Sequence, residues 1–427
     1  MLVEYNLCYG CKACLNICPQ NAIKMKDNKE GFLYPIINKD TCVNCNKCTK
    51  VCPALKNQYK PKRSCTNKGT AVRSDKYAPG STSGGAFALM ANNILSVGGY
   101  VAGAVFNDEW KVEHIISNKV DDLNRMRGSK YVQSDIMRTY DETKELLDKG
   151  KLVLFSGTPC QISGLYGFLG KYYENLITID LICHGVNSPM IWDKYLDDVI
   201  KKDNIESIIF RNKAINISSQ SIMDDKEYFT IKYKNKELFN EIFNENDFMN
   251  GFLNGLFLRP ICSECQFSKR IRQGDITIGD FWADEAAKDR KFGISQVLLN
   301  SKKGKIFFET FDKYWDKKYI INLNKTKYCS PNINGNTFKH HPARNRFFEV
   351  IKFMSFKKAL DYTLNNKFDI AIIGMHSFNF GNLVTTYSLY KFVSDMGKSV
   401  LIINRPLTSI DRPTLNCFNL FKKNPYP

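Results

Sequence analysis

The sequence has no long apolar run. Although 43% of its residues are hydrophobic, a normal value for a globular protein, no stretch approaches the roughly 18 residues that a membrane-spanning helix requires. It also leaves little room for an export signal, because the first cysteine of a metal-binding motif is already Cys8. We therefore expect a cytoplasmic protein with no membrane span.

Acidic residues are scarce as well. The chain has 43 Asp and Glu against 61 Lys and Arg, which gives a formal net charge of +18. An excess of this kind can indicate nucleic-acid binding. Here the lysines are scattered and form no long basic block. We expect a solvated lysine-rich surface, with docking of an acidic protein as the main alternative and no nucleic acid as partner.

Cysteine, in contrast, is abundant. The 427 residues suggest two to four domains and include 15 cysteines. In a protein that is not exported, so many cysteines indicate metal ligation and not disulfide bonds.

Eight of the cysteines form two copies of one pattern, C-x2-C-x2-C-x3-C-P. This spacing wraps three thiolates around one 4Fe-4S cluster and sends the fourth to the other cluster. The ligands predicted for the first cluster are Cys8, Cys11, Cys14 and Cys52. Those predicted for the second cluster are Cys42, Cys45, Cys48 and Cys18. Structural zinc, the alternative, leaves the third cysteine and the prolines unexplained.

The rest of the chain alternates between strand and helix patterns. Two strands, 22–25 and 32–37, form a hairpin between the cysteine motifs, and the polar stretch 58–69 is predicted to be a linker. A helix is predicted over 135–149, and residues 205–245 alternate like antiparallel strands.

These patterns predict a multidomain protein of the α+β and α/β classes. The predicted parts are a two-cluster ferredoxin-type domain (1–57), an α/β domain (70–200), a second domain (201–355) that completes a mixed α/β unit, and an incomplete Rossmann-like β-α-β tail (367–427).

Four other cysteines have an informative context. Cys160 and Cys183 each follow a predicted parallel strand, at the end where open α/β sheets bind ligands. Cys262 and Cys265 form a C-x2-C pair that can close the same site. We predict that these four cysteines hold a third 4Fe-4S cluster. The alternative is that Cys160 and Cys183 are small buried residues and that the pair binds zinc or nothing.

Clusters transfer single electrons, whereas most organic substrates take two, so a flavin is the expected converter. The candidate phosphate-binding residues are Ser83, Gly84 and Gly85 at a helix start and Arg127, Ser129 and Lys130 in a cationic loop. A plain helix cap and an ordinary surface loop are the alternatives. His184 is a candidate for donating a hydrogen bond to a cluster or a proton to a substrate, although it can equally be structural.

The order of the motifs resembles one known family. GSTSGG (80–85), RGSKYVQSDI (127–136), VLFSGTPCQISGL (153–165), DLICHGVNSP (180–189), RPICSEC (259–265) and GDITIGDFW (274–282) are similar to the coenzyme F(420) hydrogenase/dehydrogenase beta-subunit family, in the branch with a fused ferredoxin. The resemblance implies bound FAD, a cluster beside it and a substrate that is reduced or oxidised at the flavin. Residues 368–404 resemble the opening of polysaccharide pyruvyl transferases, of which only about 60 residues are present.

The sequence therefore predicts an iron–sulfur flavoprotein oxidoreductase. We expect it to pass electrons between a ferredoxin-like partner and a small-molecule substrate, in surface polysaccharide biosynthesis if the tail is informative. The alternatives are an electron-conduit subunit of a larger redox complex and a truncated pyruvyl transferase fusion.

Overall fold

The structure is a computed structural model of the chain. It describes residues 2–55, 59–63, 68–200, 202–213, 226–282, 292–324, 331–364, 370–376, 387–392, 395 and 400–406. Part of the predicted linker and much of the predicted tail lie outside these ranges. Met1–Ala359 forms one compact unit and Leu360–Pro427 a second. Among the described residues, no helix has the length and apolar character needed to cross a membrane.

The two cysteine motifs fold as a structural repeat. Each places its third cysteine in a four-residue helix, α1 (Ala13–Asn16) or α2 (Lys47–Lys50). Each helix is preceded by a residue in the left-handed region, Lys12 or Asn46. The hairpin predicted between the motifs is present as β1 (Ile23–Asp27) and β2 (Leu33–Ile37), which pair antiparallel.

A mixed sheet forms the centre of the first unit. Its strands are β3 (Lys68–Arg73), β4 (Tyr100–Phe106), β5 (Val112–Ser117), β6 (Val153–Gly157), β7 (Leu176–Leu181), β11 (Ile276–Asp280), β12 (Ser295–Leu299) and β13 (Lys317–Asn322). The spatial order is β13-β3-β12-β11-β7-β6-β4-β5. The inner strands β4, β6, β7 and β11 run parallel to one another. Their carboxyl ends therefore meet at one edge, where a ligand site is expected.

The second sheet of this unit is smaller and antiparallel. It contains β8 (Ile205–Asn212), β9 (Tyr228–Tyr233) and β10 (Leu238–Ile242), as the alternation over 205–245 predicts. Its buried side packs aromatic side chains together: Phe210 and Phe229 lie 5.3 Å apart between ring centroids, and Trp192 lies 5.2 Å from Phe210. This aromatic packing holds the small sheet in place.

The longer helices follow in chain order, and several of them pack against the large sheet. They are α3 (Ala86–Ser96), α4 (Val120–Met126), α5 (Thr139–Asp148), α6 (Pro159–Leu169), α7 (Pro189–Tyr195), α8 (Asp247–Leu253), α9 (Lys302–Glu309), α10 (Arg344–Val350) and α11 (Phe356–Leu364). A π-helical turn, Leu196–Ile200, continues α7.

The start predicted for the helix at residue 135 is wrong. Backbone hydrogen bonds join Asp135 to the strand β5, from its N–H to the carbonyl of Val112 (2.9 Å) and from the N–H of His114 to its carbonyl (2.7 Å). Because this pairing requires extended backbone, the helix begins only at Thr139.

Alternate residues of the inner strands face two different cores. On β6, Leu154 packs against α3 and α4, whereas Val153 and Phe155 pack against α5 and α6. The second core also contains Cys11 and Ala13 of the first cysteine motif. The ferredoxin-type part is thus packed onto the same core as the parallel strands.

Glycine in α6 permits this close packing. A Cβ at Gly164 would lie 3.0 Å from the sulfur of Cys11 and 3.0 Å from the hydroxyl of Tyr140. Only glycine leaves room there for the first cysteine motif to sit against the helix.

The polar stretch predicted to be a linker is anchored where the structure describes it. Arg63 forms an ion pair with Asp275 at 3.2 Å and donates to the hydroxyl of Tyr166 at 2.6 Å. Both side chains of the ion pair are buried. The sequence gives no sign of this contact, because its partners lie more than 100 residues away.

The described residues of the second unit agree with the predicted tail. β14 (Ile370–His376) and β15 (Val400–Pro406) pair in parallel, and residues 387–392 between them are helical. The resemblance to pyruvyl transferases stays a prediction.

A buried ion pair ties the ferredoxin hairpin to α10. Arg344 donates two hydrogen bonds to Glu30, at 2.8 and 2.7 Å, and both side chains are about 90% buried.

Replacing Glu30→Gln leaves the arginine charge without its partner, which costs about 3 kcal/mol. We expect a clear drop in the apparent melting temperature in thermal scans. The double variant Glu30→Gln/Arg344→Met should regain part of it, and Glu206→Gln, in the exposed pair with Lys232, should leave it unchanged. Equal melting temperatures for Glu30→Gln and the unaltered protein would contradict this account.

Candidate functional site

The eight cysteines of the two motifs gather into two groups that differ in exposure. The cysteines of the group predicted for the first cluster are all buried: Cys8, Cys11, Cys14 and Cys52. The group predicted for the second cluster lies nearer the surface: Cys18, Cys42 and Cys48 are half-buried and Cys45 is exposed.

Electrostatic coupling shows that these thiols lie close together. Burial, and then the nearby thiols of Cys14 and Cys52, raise the pKa of Cys11 well above its ordinary value. Burial also raises the pKa of Cys48, to which Cys45 and Cys18 add smaller upward effects. The thiol of Cys48 in turn acts on Cys14 and Cys52, so the coupling extends across both predicted groups.

The four remaining cysteines of interest converge on one small cavity. Cys160, Cys183, Cys262 and Cys265 all line a space of about 40 Å³. Cys160 follows β6 and Cys183 follows β7, and these strands are paired neighbours. The other two lie on and just after the 3-10 turn Pro260–Glu264.

Burial dominates the electrostatics of this group. It raises the pKa of Cys160 to about 11, with Cys265 as the next contributor. Burial also raises the pKa of Cys262 to about 12. A backbone hydrogen bond at Val186 lowers this pKa, and the thiols of Cys265 and Cys160 raise it by smaller amounts. Free thiols here stay protonated at neutral pH, whereas ligation by a metal centre would remove the protons. In the described part of the chain, no group of three or more His, Cys, Asp or Glu side chains is arranged to hold a single metal ion.

Tyr9 connects the first motif to this four-cysteine cavity. It lies between Cys8 and Cys11 in the sequence and lines the cavity. Its ring packs 5.0 Å from that of Phe267 between centroids. Burial raises the pKa of its hydroxyl, and the thiol of Cys265 adds to the effect. The buried cysteine group and the four-cysteine cavity are thus neighbours.

A much larger cavity, about 740 Å³, lies on the other side of Cys183. Its volume falls within the roughly 300–1,000 Å³ typical of ligand sites. Five of the six residues predicted to bind the flavin line it: Ser83, Gly85, Arg127, Ser129 and Lys130. Cys183 and His184 line both cavities.

Gly84, the sixth predicted residue, lies behind the cavity wall and does not line it. A Cβ there would lie 2.3 Å from the carbonyl of Val72 and 2.6 Å from the amide of Ser295. Gly85 has a φ of +82° and caps the N-terminus of α3. The paired glycines let the helix start close to β3 and β12, which places its first turn at the cavity.

The predicted cations organise the cavity wall through backbone contacts. Arg127 donates to the carbonyls of Tyr77, at 3.0 Å, and Pro79. The ammonium of Lys130 donates to the carbonyls of Arg125, Arg127 and Gly128, at 2.7, 3.1 and 3.2 Å. Burial lowers the pKa of Lys130 to about 7. Through these hydrogen bonds, both side chains fix the conformation of the loop beside Gly84 and Gly85.

His184 is held between aromatic rings. Its ring centroid lies 3.4 Å from that of Phe338 and 4.5 Å from that of Phe252. Burial lowers its pKa to about 4, so the ring is neutral at pH 7. In the described structure its Nε2 is buried and has no hydrogen-bond partner. The Nε2 atom is therefore available to donate or accept one hydrogen bond with a bound group, depending on the tautomer of the ring.

A second cavity histidine was not predicted from the sequence. His114 on β5 is 3% exposed, and its Nε2 lies 3.1 Å from the carbonyl of Ser156. Burial lowers its pKa to about 4. Because Nε2 faces a carbonyl, it carries the proton, and Nδ1 is left as an acceptor without a partner among the described residues. The only sequence signal for His114 is the alternation of β5, which places this residue on the inward face of the strand.

An ionic cluster on the far wall was also missed. Arg211 of β8 contacts the carboxylates of Glu227 and Asp280, and its guanidinium lies 5.2 Å from the ring of Trp282. Asp280 ends β11, so this contact joins the small sheet to the large one. The pairing of residues far apart in the sequence gives no local signal.

The cavity wall offers a flavin-sized ligand several unused polar atoms. Within the described residues, the buried side-chain atoms without a partner that belong to lining residues are His114 Nδ1, Arg127 Nε, His184 Nε2 and Asn332 Oδ1. Buried polar atoms normally have partners. The wall therefore fits a large polar cofactor better than an empty apolar space.

Comparisons with known proteins agree with the motifs. Residues 150–320 match the family described as the C terminus of the coenzyme F420 hydrogenase/dehydrogenase beta subunit. Residues 7–55 and 34–85 match two families of the type "4Fe-4S dicluster domain". Comparison with the curated proteins gives no match.

One solved structure found to be similar belongs to the F420-reducing [NiFe] hydrogenase complex from Methanosarcina barkeri. It is 15% identical, covers 72% of this chain and 94% of its own, and has a TM-score of 0.41. The resemblance drawn from the motifs is confirmed by the family matches. Residues 150–320 therefore match the C-terminal part of the coenzyme F420 hydrogenase/dehydrogenase beta subunit, and residues 7–55 match a 4Fe-4S dicluster domain.

Proposed function

We propose that the chain is an iron–sulfur flavoprotein oxidoreductase that passes electrons between a redox protein partner and a small-molecule substrate. One observation carries the proposal: Cys183 and His184 line both the four-cysteine cavity and the large cavity. A cluster held by the four cysteines would thus directly adjoin any cofactor in the large cavity.

The cysteine groups support a sequence of three redox centres. Cys45 and its group lie at the surface, the group of Cys8 is buried next to Tyr9, and Tyr9 lines the cavity of the third group. Each group has four cysteines, the number that a 4Fe-4S cluster requires. The order runs from the protein surface to the large cavity.

The large cavity is the proposed FAD site. The residues proposed to hold the cofactor are Ser83, Gly85, Arg127, Ser129 and Lys130, with Gly84 shaping the helix start behind them. FAD, when bound, supplies the change from one-electron to two-electron chemistry. His114 and His184 offer it or a substrate one hydrogen bond each from neutral rings.

The partner is proposed to be an acidic, ferredoxin-like protein. Around the exposed cysteine group, residues 24–50 expose six lysines against two aspartates. These residues are Lys24, Lys26, Lys29, Lys39, Lys47, Lys50, Asp27 and Asp40. A positive surface of this kind attracts a negative partner and speeds its encounter.

The substrate is proposed to be a sugar-linked intermediate of surface polysaccharide synthesis. This rests on the resemblance of residues 368–404 to the opening of pyruvyl transferases. Reduction and oxidation of the substrate are both compatible with the site.

Anaerobic purification followed by iron, sulfide and flavin analysis tests the proposed cofactors. We expect about twelve iron atoms and one FAD per chain, since three clusters each hold four irons. The variant Cys160→Ser/Cys183→Ser/Cys262→Ser/Cys265→Ser should hold about eight iron atoms.

Two results would refute parts of the proposal. Unchanged iron in the fourfold variant removes the third cluster. Eight iron atoms and no flavin in the unaltered protein favour an electron-conduit subunit.

Arg127→Gln tests the FAD site itself: it should weaken flavin binding about tenfold, since it removes charge-assisted contacts of the wall. The matched control is Arg125→Gln, two residues away, half exposed and outside the cavity lining.

Charge reversal tests the partner surface. Lys47→Glu/Lys50→Glu should slow electron uptake from a small acidic ferredoxin at low salt, by about tenfold or more in the second-order rate constant, and high salt should shrink the difference. Stopped-flow absorbance measures the rate. Lys302→Glu/Lys305→Glu, which reverses two exposed lysines on α9, is the control with the same change in net charge. Equal slowing by both changes would show that only net charge matters, which contradicts a docking surface at residues 24–50.

A further inference from the structure

Arg259 lies between the ferredoxin-type part and the four-cysteine cavity. Its side chain is 1% exposed. It donates from Nε to the carbonyl of Cys8 at 2.7 Å, from Nη1 to Gln133 Oε1 at 2.8 Å and from Nη2 to the carbonyl of Leu33 at 3.0 Å. Its guanidinium also lies 4.4 Å from the ring centroid of Tyr34.

All of these contacts are neutral. Among the described residues, no carboxylate lies within ion-pair distance of Arg259. Burying a charge without a counter-charge costs several kcal/mol, and the hydrogen bonds offset only part of that cost. The charge therefore needs a negative partner that the side chains in the described ranges do not provide.

The other buried arginines of this region differ in this respect. Arg344 forms a bidentate pair with Glu30, and Arg272, 2% exposed, lies 3.6 Å from the carboxylate of Asp180. Among these three arginines, Arg259 alone has no carboxylate partner in the described structure.

The cysteines beside Arg259 would supply that negative charge as thiolate ligands of bound clusters. Its Nε holds the carbonyl of Cys8, a residue of the buried group. Its own carbonyl accepts the amide of Cys262 at 2.9 Å. One cation thus lies next to two of the three cysteine groups.

We propose that Arg259 is the buried counter-charge of the first and third clusters and raises the reduction potential of both. The proposal rests on the proposed function, since it requires those clusters. A cluster held by four thiolates becomes more negative when it accepts an electron, and a fixed cation beside it stabilises the reduced state. Arg259 acts through the clusters and is a positioning residue.

Removing the charge gives the direct test. In Arg259→Gln, the midpoint potentials of the first and third clusters should fall, with at least a tenfold smaller ratio of reduced to oxidised cluster at a fixed potential. That ratio corresponds to about 59 mV for a one-electron couple. Redox titration monitored by electron paramagnetic resonance measures the potentials. Signals are assigned beforehand with Cys45→Ser for the second cluster and the fourfold Cys→Ser variant for the third.

A second variant neutralises the arginine without removing it. Gln133→Glu places a carboxylate at the atom that already accepts from Nη1 at 2.8 Å. It should lower the same two potentials in the same direction, and it serves if Arg259→Gln does not fold. Arg259→Lys keeps the charge and should keep both potentials near those of the unaltered protein.

The control is Lys305→Gln, which removes the same formal charge from a side chain that is 63% exposed. It should shift none of the potentials, because water screens its charge. A fall in both adjacent clusters that exceeds any change in the second cluster supports the proposal. An unchanged potential in either adjacent cluster, or a change of the second cluster that is as large, overturns it. Iron analysis of the unaltered protein separates the two hypotheses: eight iron atoms refute the third cluster, whereas twelve with unchanged potentials refute only the role of Arg259.

Discussion

The parallel pairing of β6 with β7 is the constraint on which the site depends. Their register, with Val153 opposite Leu176, brings the two strands to an end at the same edge of the sheet. Cys160 and Cys183 follow these ends and therefore share one cavity. The same edge also carries Thr158 and His184 to the wall of the larger cavity. A slip of this register would separate the two cysteines and open the wall between the cavities.

Burial and charge differ between the proposed redox centres. The outer cysteine group includes the exposed Cys45 and lies among exposed lysines. The group of Cys8 is buried against α6, and the cysteines of the third group are half-buried next to Arg259. Solvent exposure and nearby charge are the main protein contributions to the potential of a cluster. The fold therefore gives each of the three groups of four cysteines a different environment.

Most of the cysteine site could be predicted because its signal is local. The repeated C-x2-C-x2-C-x3-C-P spacing gives the ligand groups, and the position of Cys160 and Cys183 after apolar strands gives their meeting point. His114, Arg211 and Arg259 could not be found in this way, because their roles come from contacts with residues distant in the sequence. The late start of α5 has the same origin, since Asp135 pairs with β5.

The most direct test of the central claim follows electrons from the surface to the large cavity. The chain, loaded with clusters and FAD, is mixed rapidly and anaerobically with a reduced ferredoxin while cluster and flavin absorbance are recorded. We predict that both bleach in the unaltered protein, and that the flavin stays oxidised on that timescale when Cys160, Cys183, Cys262 and Cys265 are replaced by serine. Flavin reduction at an undiminished rate in that variant would contradict the account.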